Sequence, residues 1–277
     1  MPASAVKSAM RPCALCGKDE FKKTLTCDDF YFVRCNFCGL VQRNPQPDKN
    51  EIIARYSVQF GNDYLSYELT NEKAFLNLQL LALKDVNFNF NAPKYGETSV
   101  LDIGCATGAL LSHLREHGWR VTGVEISPGA EYARNERNLD VRSSPLEENN
   151  FKENSFDVIL ASHLIEHLND PRSFLSEVHR ILKKNGHFYV TTPDISGFQA
   201  RLFGAKWRSA IFDHLYLFSR RTLTKMLKDA GFKPLRRRTW GGLAAGTAPL
   251  WIKKIADFFA KRFGCGDVMI IKAKKVN

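Results

Sequence analysis

Apolar positions in this chain fall into short continuous runs separated by amphipathic stretches. Ser99-Val-Leu-Asp-Ile103 and Val121-Thr-Gly-Val124 are such runs, and between them Leu110, Leu111 and Leu114 recur at helical spacing. A brief apolar run bounded by turn residues predicts a strand buried on both faces, and the stripe after it predicts a helix packed on the sheet. The pattern repeats. Phe156–Ala161 reads as a strand; Phe174, Val178, Ile181 and Leu182 mark a helix with Gly186 as its C-cap; Phe188–Val190 reads as the next strand. Thr222–Ala230 reads as a helix ending at Gly231, and strands follow near Phe232–Trp240 and Val268–Ala273. Strands alternating with helices predict an α/β fold with a parallel, doubly wound sheet.

The flanks are less regular. Phe30–Val33 is strand-like, Pro45-Gln-Pro47 reads as a linker, and Glu51–Leu83 reads as helices carrying Tyr56, Tyr64, Tyr67, Phe75 and Leu80. Lys84–Lys94 reads as a polar loop, and Asp194–Phe218 as an irregular insert beyond a strand's carboxyl end, where ligands bind in open α/β sheets. Pro249–Phe263 is an amphipathic basic helix, expected to pack on the sheet before the last strand; an anionic membrane surface would suit the same pattern. The division expected is residues 1–45, 46–95 (linker and helical cap) and 96–277.

The turn after the first strand carries the chemistry. Gly104-Cys-Ala-Thr-Gly108 opens a helix, and Glu125 ends the next strand about 20 residues beyond, the offset at which an acidic side chain can hold both ribose hydroxyls. A dinucleotide would satisfy that much. However, Ala106 stands where a dinucleotide site has the glycine that admits a pyrophosphate, and Asp102 would repel phosphate but suit an ammonium group. The expected ligand is cationic, free of phosphate and carries a ribose, which describes S-adenosylmethionine.

On these residues the chain resembles the class I S-adenosylmethionine-dependent methyltransferases, in motif I (Leu101 to Gly108) and motif II (Gly123 to Ser127). Ser155–Pro171 and Phe174–Pro193 resemble motif IV and the helix and fifth strand after it. The resemblance implies a Rossmann-like seven-stranded sheet whose last strand is antiparallel. It also implies a cofactor site of Asp102, Gly104, Cys105, Ala106, Gly108, Glu125, Ile126 and Ser162, covered by Tyr64 or Tyr67 from the cap. Where many members carry an aspartate for the adenine amino group, this chain has Pro145, which implies that adenine is read by backbone near Leu146.

Four of the seven cysteines form Cys13-Ala-Leu-Cys16 and Cys35-Asn-Phe-Cys38, paired knuckles at zinc-ribbon spacing, each followed by a glycine. Two disulfides are the alternative; the lack of a secretory signal pattern favours a cytoplasmic enzyme and zinc. Four thiolates leave no open coordination position, so the metal expected is structural. Cys27 reads as a strand residue of the ribbon, and Cys105 and Cys265 as apolar fillers.

Net charge is +11, and its distribution is uneven: residues 196–277 hold 18 Lys and Arg against 4 Asp and Glu, whereas residues 96–195 hold 10 against 15. A basic C-terminal third favours an anionic acceptor, though basic runs also serve as solvated faces. No apolar run approaches the ~20 residues of a membrane span.

Methyl transfer from a sulfonium is an in-line displacement that needs alignment first and a base only if the acceptor must lose a proton. His163, directly after the fourth strand, and His214, in the insert, are the candidate bases, while Glu166 and His167 read as bracing. Ser162-His-Leu-Ile165 lacks the Asn/Asp-Pro-Pro-aromatic tetrapeptide of many nucleic-acid amine methylases. The arrangement is most similar to small-molecule members with an N-terminal zinc ribbon, including ubiquinone-biosynthesis-like and sugar or polysaccharide methyltransferases. The expected activity is O-methylation of an anionic small molecule, sugar or lipid-linked intermediate, with peripheral membrane contact as a further expectation. An rRNA methyltransferase and a non-catalytic protein that senses S-adenosylmethionine are the alternatives.

Overall fold

The computed structural model describes residues 10–48, 58–242 and 249–276. Its strands are β1 (Phe21–Thr26), β2 (Tyr31–Cys35), β3 (Val41–Arg43), β4 (Ser99–Ile103), β5 (Arg120–Val124), β6 (Val141–Arg142), β7 (Phe156–Ser162), β8 (Leu182–Pro193), β9 (Tyr216–Leu217), β10 (Phe232–Trp240) and β11 (Val268–Lys275). Its α-helices are α1 (Val58–Asp85), α2 (Ala109–Glu116), α3 (Gly129–Arg137), α4 (Pro171–Ile181), α5 (Phe198–Phe203), α6 (Arg220–Asp229) and α7 (Leu250–Phe263).

Seven strands form the main sheet in the order β10-β11-β8-β7-β4-β5-β6. β4 pairs in parallel with both β5 and β7, and β11 runs antiparallel to β8 and β10, as expected for the methyltransferase fold. All of β4 is buried, which is why its sequence is apolar apart from Ser99 and Asp102. Chain order reverses on either side of β4, so a crevice opens beyond the carboxyl ends of β4, β5 and β7.

The second sheet joins what the sequence separates. β1, β2 and β3 form an antiparallel ribbon, and β9, from the insert after β8, pairs with β3 through Val41↔Leu217 and Gln42↔Tyr216. One hydrophobic cluster runs from Cys13, Leu15 and Leu40 of the ribbon through Leu215 and Phe218 to Leu101 and Phe188 of the main sheet. Gln46 and Pro47, expected in a linker, are buried against it. A two-residue strand gives almost no sequence signal, so this pairing is invisible before the fold is known.

Several local expectations need correction. α4 stops at Ile181, and Gly186 lies inside β8, beside an irregularity in its pairing with β7, instead of capping the helix. Lys84–Lys94 is not simply polar: Val86 and Phe88 are core residues, with Phe88 stacked on Trp119 at 5.6 Å. The intervening asparagines masked that alternation. Cys27 lies just past β1. Tyr56 and the start of the cap lie outside the described residues; from Val58 the cap is one helix of 28 residues.

α7 departs most from expectation. It touches β10 through the Ala260 carbonyl, which accepts from Thr239 Oγ1 at 3.1 Å. Its aromatic stripe, expected to pack, faces solvent: Trp251 is 65% exposed, Phe258 65% and Phe263 67%. No helix among the described residues is long and apolar enough to cross a membrane.

Candidate functional site

A cavity of about 1090 Å³ occupies the crevice, lined by the ends of β4, β5 and β7, by α1 and by the insert. One end is acidic. Asp102 is buried at the end of β4, and among the described residues its carboxylate accepts no hydrogen bond; burial, with the Glu125 charge added, pushes its pKa up to about 7. Glu68, on α1, is also raised, chiefly by burial and further by Glu125 and Glu72, against a hydrogen bond with Tyr64. Asp102 and Glu68, both raised further by the Glu125 charge, make this end a receptor for a cation.

Glu125 shapes the turn as well as lining it. Its two carboxylate oxygens accept from the Ala106 amide at 2.9 Å and the Ser127 amide at 2.8 Å, tying the turn after β4 to the end of β5. Each oxygen retains lone-pair capacity for a ribose hydroxyl. Ala106 takes a left-handed φ of 47°, and Gly129 lets α3 approach it: a Cβ there would sit 2.8 Å from the Ala106 carbonyl oxygen. Above the turn, Glu72 of α1 accepts from Thr107 Oγ1 and Arg137, both at 2.6 Å, and anchors the cap over the cavity.

The other end is built from the turn after β7 and from the insert. Glu166 is fully buried; Oε2 accepts from Thr192 Oγ1 at 2.9 Å, while Oε1 lies 3.3 Å from His163 Nδ1 without a hydrogen-bond partner. Burial works to raise its pKa, but His163, with His167 and His214 behind it, more than offsets that and holds it at about 2. His163 adopts φ 52° and its side chain is 49% exposed at the rim. His214 is buried, and desolvation, reinforced by the His167 charge, pushes its pKa down to about 4.

The ribbon positions this end. The Leu215 carbonyl accepts from the Arg43 amide at 2.8 Å and the Leu215 amide donates to the Glu166 carbonyl at 2.8 Å, so β3, the insert and the turn after β7 form one hydrogen-bonded chain. In the ribbon itself, the sulfurs of Cys13, Cys16, Cys35 and Cys38 lie within 4.8 Å of one another. Cys13 approaches Cys38 to 3.3 Å and Cys16 approaches Cys35 to 3.5 Å, far beyond the disulfide length of about 2.05 Å and close to the spacing around a tetrahedral ion. The Gly17 and Gly39 amides donate to the Cys13 and Cys35 carbonyls, closing both knuckles.

A family model described as methyltransferase domain matches residues 41–236. The chain belongs to the methyltransferase-domain family. It is similar to the ubiquinone biosynthesis O-methyltransferase of Caulobacter vibrioides, 35% identical over 127 residues that make up 43% of this chain and 50% of that protein. The chain thus spans about half the length of the ubiquinone-biosynthesis relatives it matches. An S-adenosylmethionine-dependent methyltransferase structure from Thermotoga maritima is 26% identical, with a TM-score of 0.59 over 82% of this chain and 99% of that one. A chain from the Haloferax volcanii complex of a methyltransferase with its activator Trm112 shares the fold at TM-score 0.60 and 20% identity, over 78% of this chain and 96% of that one.

In this member of the methyltransferase-domain family, Asp102, Gly104, Ala106, Glu125, Ile126, Leu146, Ser162, Tyr64, His163 and His214 all line the one cavity. Cys105 and Gly108 do not. The Cys105 side chain is buried with Leu111, Ala130 and Val141, and Gly108 caps α2 with φ 76°. Sequence reading missed Glu68 and Arg208 as lining residues, and Glu72 as the anchor of the cap. Spacing offered a signal for Glu68, which follows Tyr64 by one helical turn; Arg208 had none.

The basic surplus lies elsewhere. Arg220, Arg221, Lys228, Arg237, Arg238, Lys261 and Arg262 line a separate groove of about 960 Å³ that shares no lining residue with the cavity.

Proposed function

We propose that this methyltransferase transfers a methyl group from S-adenosylmethionine to a hydroxyl of a small biosynthetic intermediate. The observation that supports this reading is the two-ended cavity, with carboxylates at one end and histidines around a buried glutamate at the other. Asp102 would meet the α-ammonium group, Glu125 the ribose hydroxyls, and Ile126 and Leu146 the adenine, with Tyr64 as cover. The cofactor supplies an electrophilic methyl group on a sulfonium. The chain would supply alignment and exclusion of water, and His163, half exposed at the rim, would take the acceptor's proton. His214, held neutral by burial, suits contact with the acceptor better than proton abstraction.

The acceptor is expected to be presented at an anionic lipid surface. The cavity itself is acidic, so recognition of negative charge falls to the basic groove and to α7, whose exposed aromatics adjoin Lys261 and Arg262. The ribbon cysteines would hold one structural zinc ion, with no open position for chemistry. The test is transfer of labelled methyl from S-adenosylmethionine to a panel of phenolic, sugar and lipid-linked hydroxyl acceptors, with RNA and amine acceptors alongside. Turnover confined to RNA or amines would overturn the reading.

A further inference from the structure

We infer that Glu166, His167 and His214 form a binding site for a divalent transition-metal ion at the acceptor end of the cavity, separate from the ribbon. The ligand atoms of the three residues lie within 4.8 Å of one another. Metal bonds of about 2.1 Å place tetrahedral ligands about 3.4 Å apart, so the cluster needs to contract by about an ångström.

Three features beyond proximity point to a cation. His167 Nδ1 lies 3.0 Å from the Asp213 carbonyl oxygen and His214 Nδ1 lies 2.8 Å from the Ser209 carbonyl oxygen. A carbonyl can only accept, so both Nδ1 atoms carry the proton and both Nε2 atoms carry the lone pair. That is the outer arrangement that fixes the tautomer of a metal-bound histidine. Thirdly, Glu166 Oε1 is buried without a hydrogen-bond partner, with His163 Nδ1 3.3 Å away, a state that suits a carboxylate only where positive charge is close. The ring planes of His167 and His214 are close to perpendicular at a centroid distance of 4.7 Å, so they share a vertex without stacking.

Two imidazoles and one carboxylate select Zn²⁺, Fe²⁺, Co²⁺ or Mn²⁺ over Mg²⁺ and Ca²⁺, which take oxygen ligands. Three protein ligands leave a position open for an oxygen of the acceptor, unlike the closed thiolate set of the ribbon. The consequence for the reaction rests on the function proposed above. A hydroxyl bound to the ion would give up its proton to His163 at the rim; its oxygen would then form the new C–O bond as the S–CH₃ bond breaks and the electron pair stays on sulfur.

The test titrates Co²⁺ into the full-length protein, following the visible spectrum and the bound metal per chain by mass spectrometry, beside calorimetry with S-adenosylmethionine. The expected result is a second equivalent of metal with the weak visible bands of nitrogen and oxygen ligands, clear of the thiolate-to-metal charge transfer that marks the ribbon. His167→Ala and His214→Ala are each expected to weaken it at least tenfold, and so is Glu166→Gln. All three should keep their affinity for S-adenosylmethionine, which also shows that they fold. Metal held only by thiolates, or a second equivalent untouched in His167→Ala, would overturn the inference. If S-adenosylmethionine binds and Co²⁺ does not, only the metal site falls; if the unaltered protein fails to bind S-adenosylmethionine, the proposed cofactor site falls whatever Co²⁺ does.

Discussion

At one end of the cavity Asp102, Glu125 and the 104–108 turn sit at the ends of neighbouring parallel strands, within 24 residues of one another in the chain. At the other end Glu166 and His163 come from the turn after β7, His214 comes from an insert about fifty residues later, and both are held by a strand pairing with the ribbon near the N-terminus. The first end is local, and strand, turn and helix geometry alone assemble it. The second depends on long-range pairing, so its integrity is tied to the cysteine cluster more than 120 residues away in sequence. The two ends should therefore fail separately, and the largest effects should show it.

Asp102→Ala is expected to weaken S-adenosylmethionine binding by about a hundredfold, because a charged hydrogen bond contributes about 1.5–3 kcal/mol and its loss leaves the ammonium group uncompensated. Calorimetry with circular dichroism checks both affinity and fold. Glu125→Ala should be as severe but less clean, since it also strips the Ala106 and Ser127 amides of their acceptor. At the opposite end, Cys35→Ser should release about one zinc ion per chain and lower methyl transfer at least tenfold while leaving cofactor affinity within about threefold, since metal binding and folding of the ribbon are coupled. Equal loss of both properties would show that the ends are not independent.

A pH series sharpens the contrast with a smaller effect. The Asp102 carboxyl is raised to about 7 in the free protein. A cation requires the ionised form, so below pH 7 binding must expel a proton and affinity should fall by up to about tenfold per pH unit, while above pH 8 it should level off. The same shift makes the free protein lose stability as pH rises from the usual carboxylate range towards 7, because the folded state holds the proton that the unfolded state has released. Calorimetry at pH 6 and pH 8 tests the sign, and Asp102→Asn should flatten the profile.

The two ends also differed in how much the sequence revealed. The main sheet, its antiparallel last strand and the acidic end of the cavity were legible because buried strands write themselves as continuous apolar runs and because Gly104, Ala106 and Glu125 are close in sequence. The zinc-type cysteine spacing was equally plain. The histidine end was only half legible. His163 and His214 could be named, but Glu166 and His167 read as bracing, because nothing local brings His214 beside them. The pairing of β9 with β3 does that, through two residues on each strand. The basic C-terminal third misled in a different way: charge counted along the chain does not say which face it covers, and eight of its 18 basic residues line the separate groove.

The smallest expected effect concerns α7, where the helical pattern was read correctly and its environment was not. Phe258, Phe259 and Phe263 lie on the exposed side of the helix, with Phe259 and Phe263 stacked at 5.8 Å, and Lys261 and Arg262 stand beside them on the groove. Aromatic side chains held in water next to cations gain from the boundary of an anionic bilayer, where the rings leave water and each nearby cation adds about 1 kcal/mol. Packing against the sheet uses Ala260 instead, so the stripe can be altered without touching the fold. Phe258→Glu is expected to weaken sedimentation with phosphatidylglycerol vesicles by about tenfold, leaving cofactor affinity and turnover of a water-soluble acceptor unchanged. Vesicle binding that survives this change and also ignores salt would separate the stripe from the lipid surface and return the helix to a purely structural part.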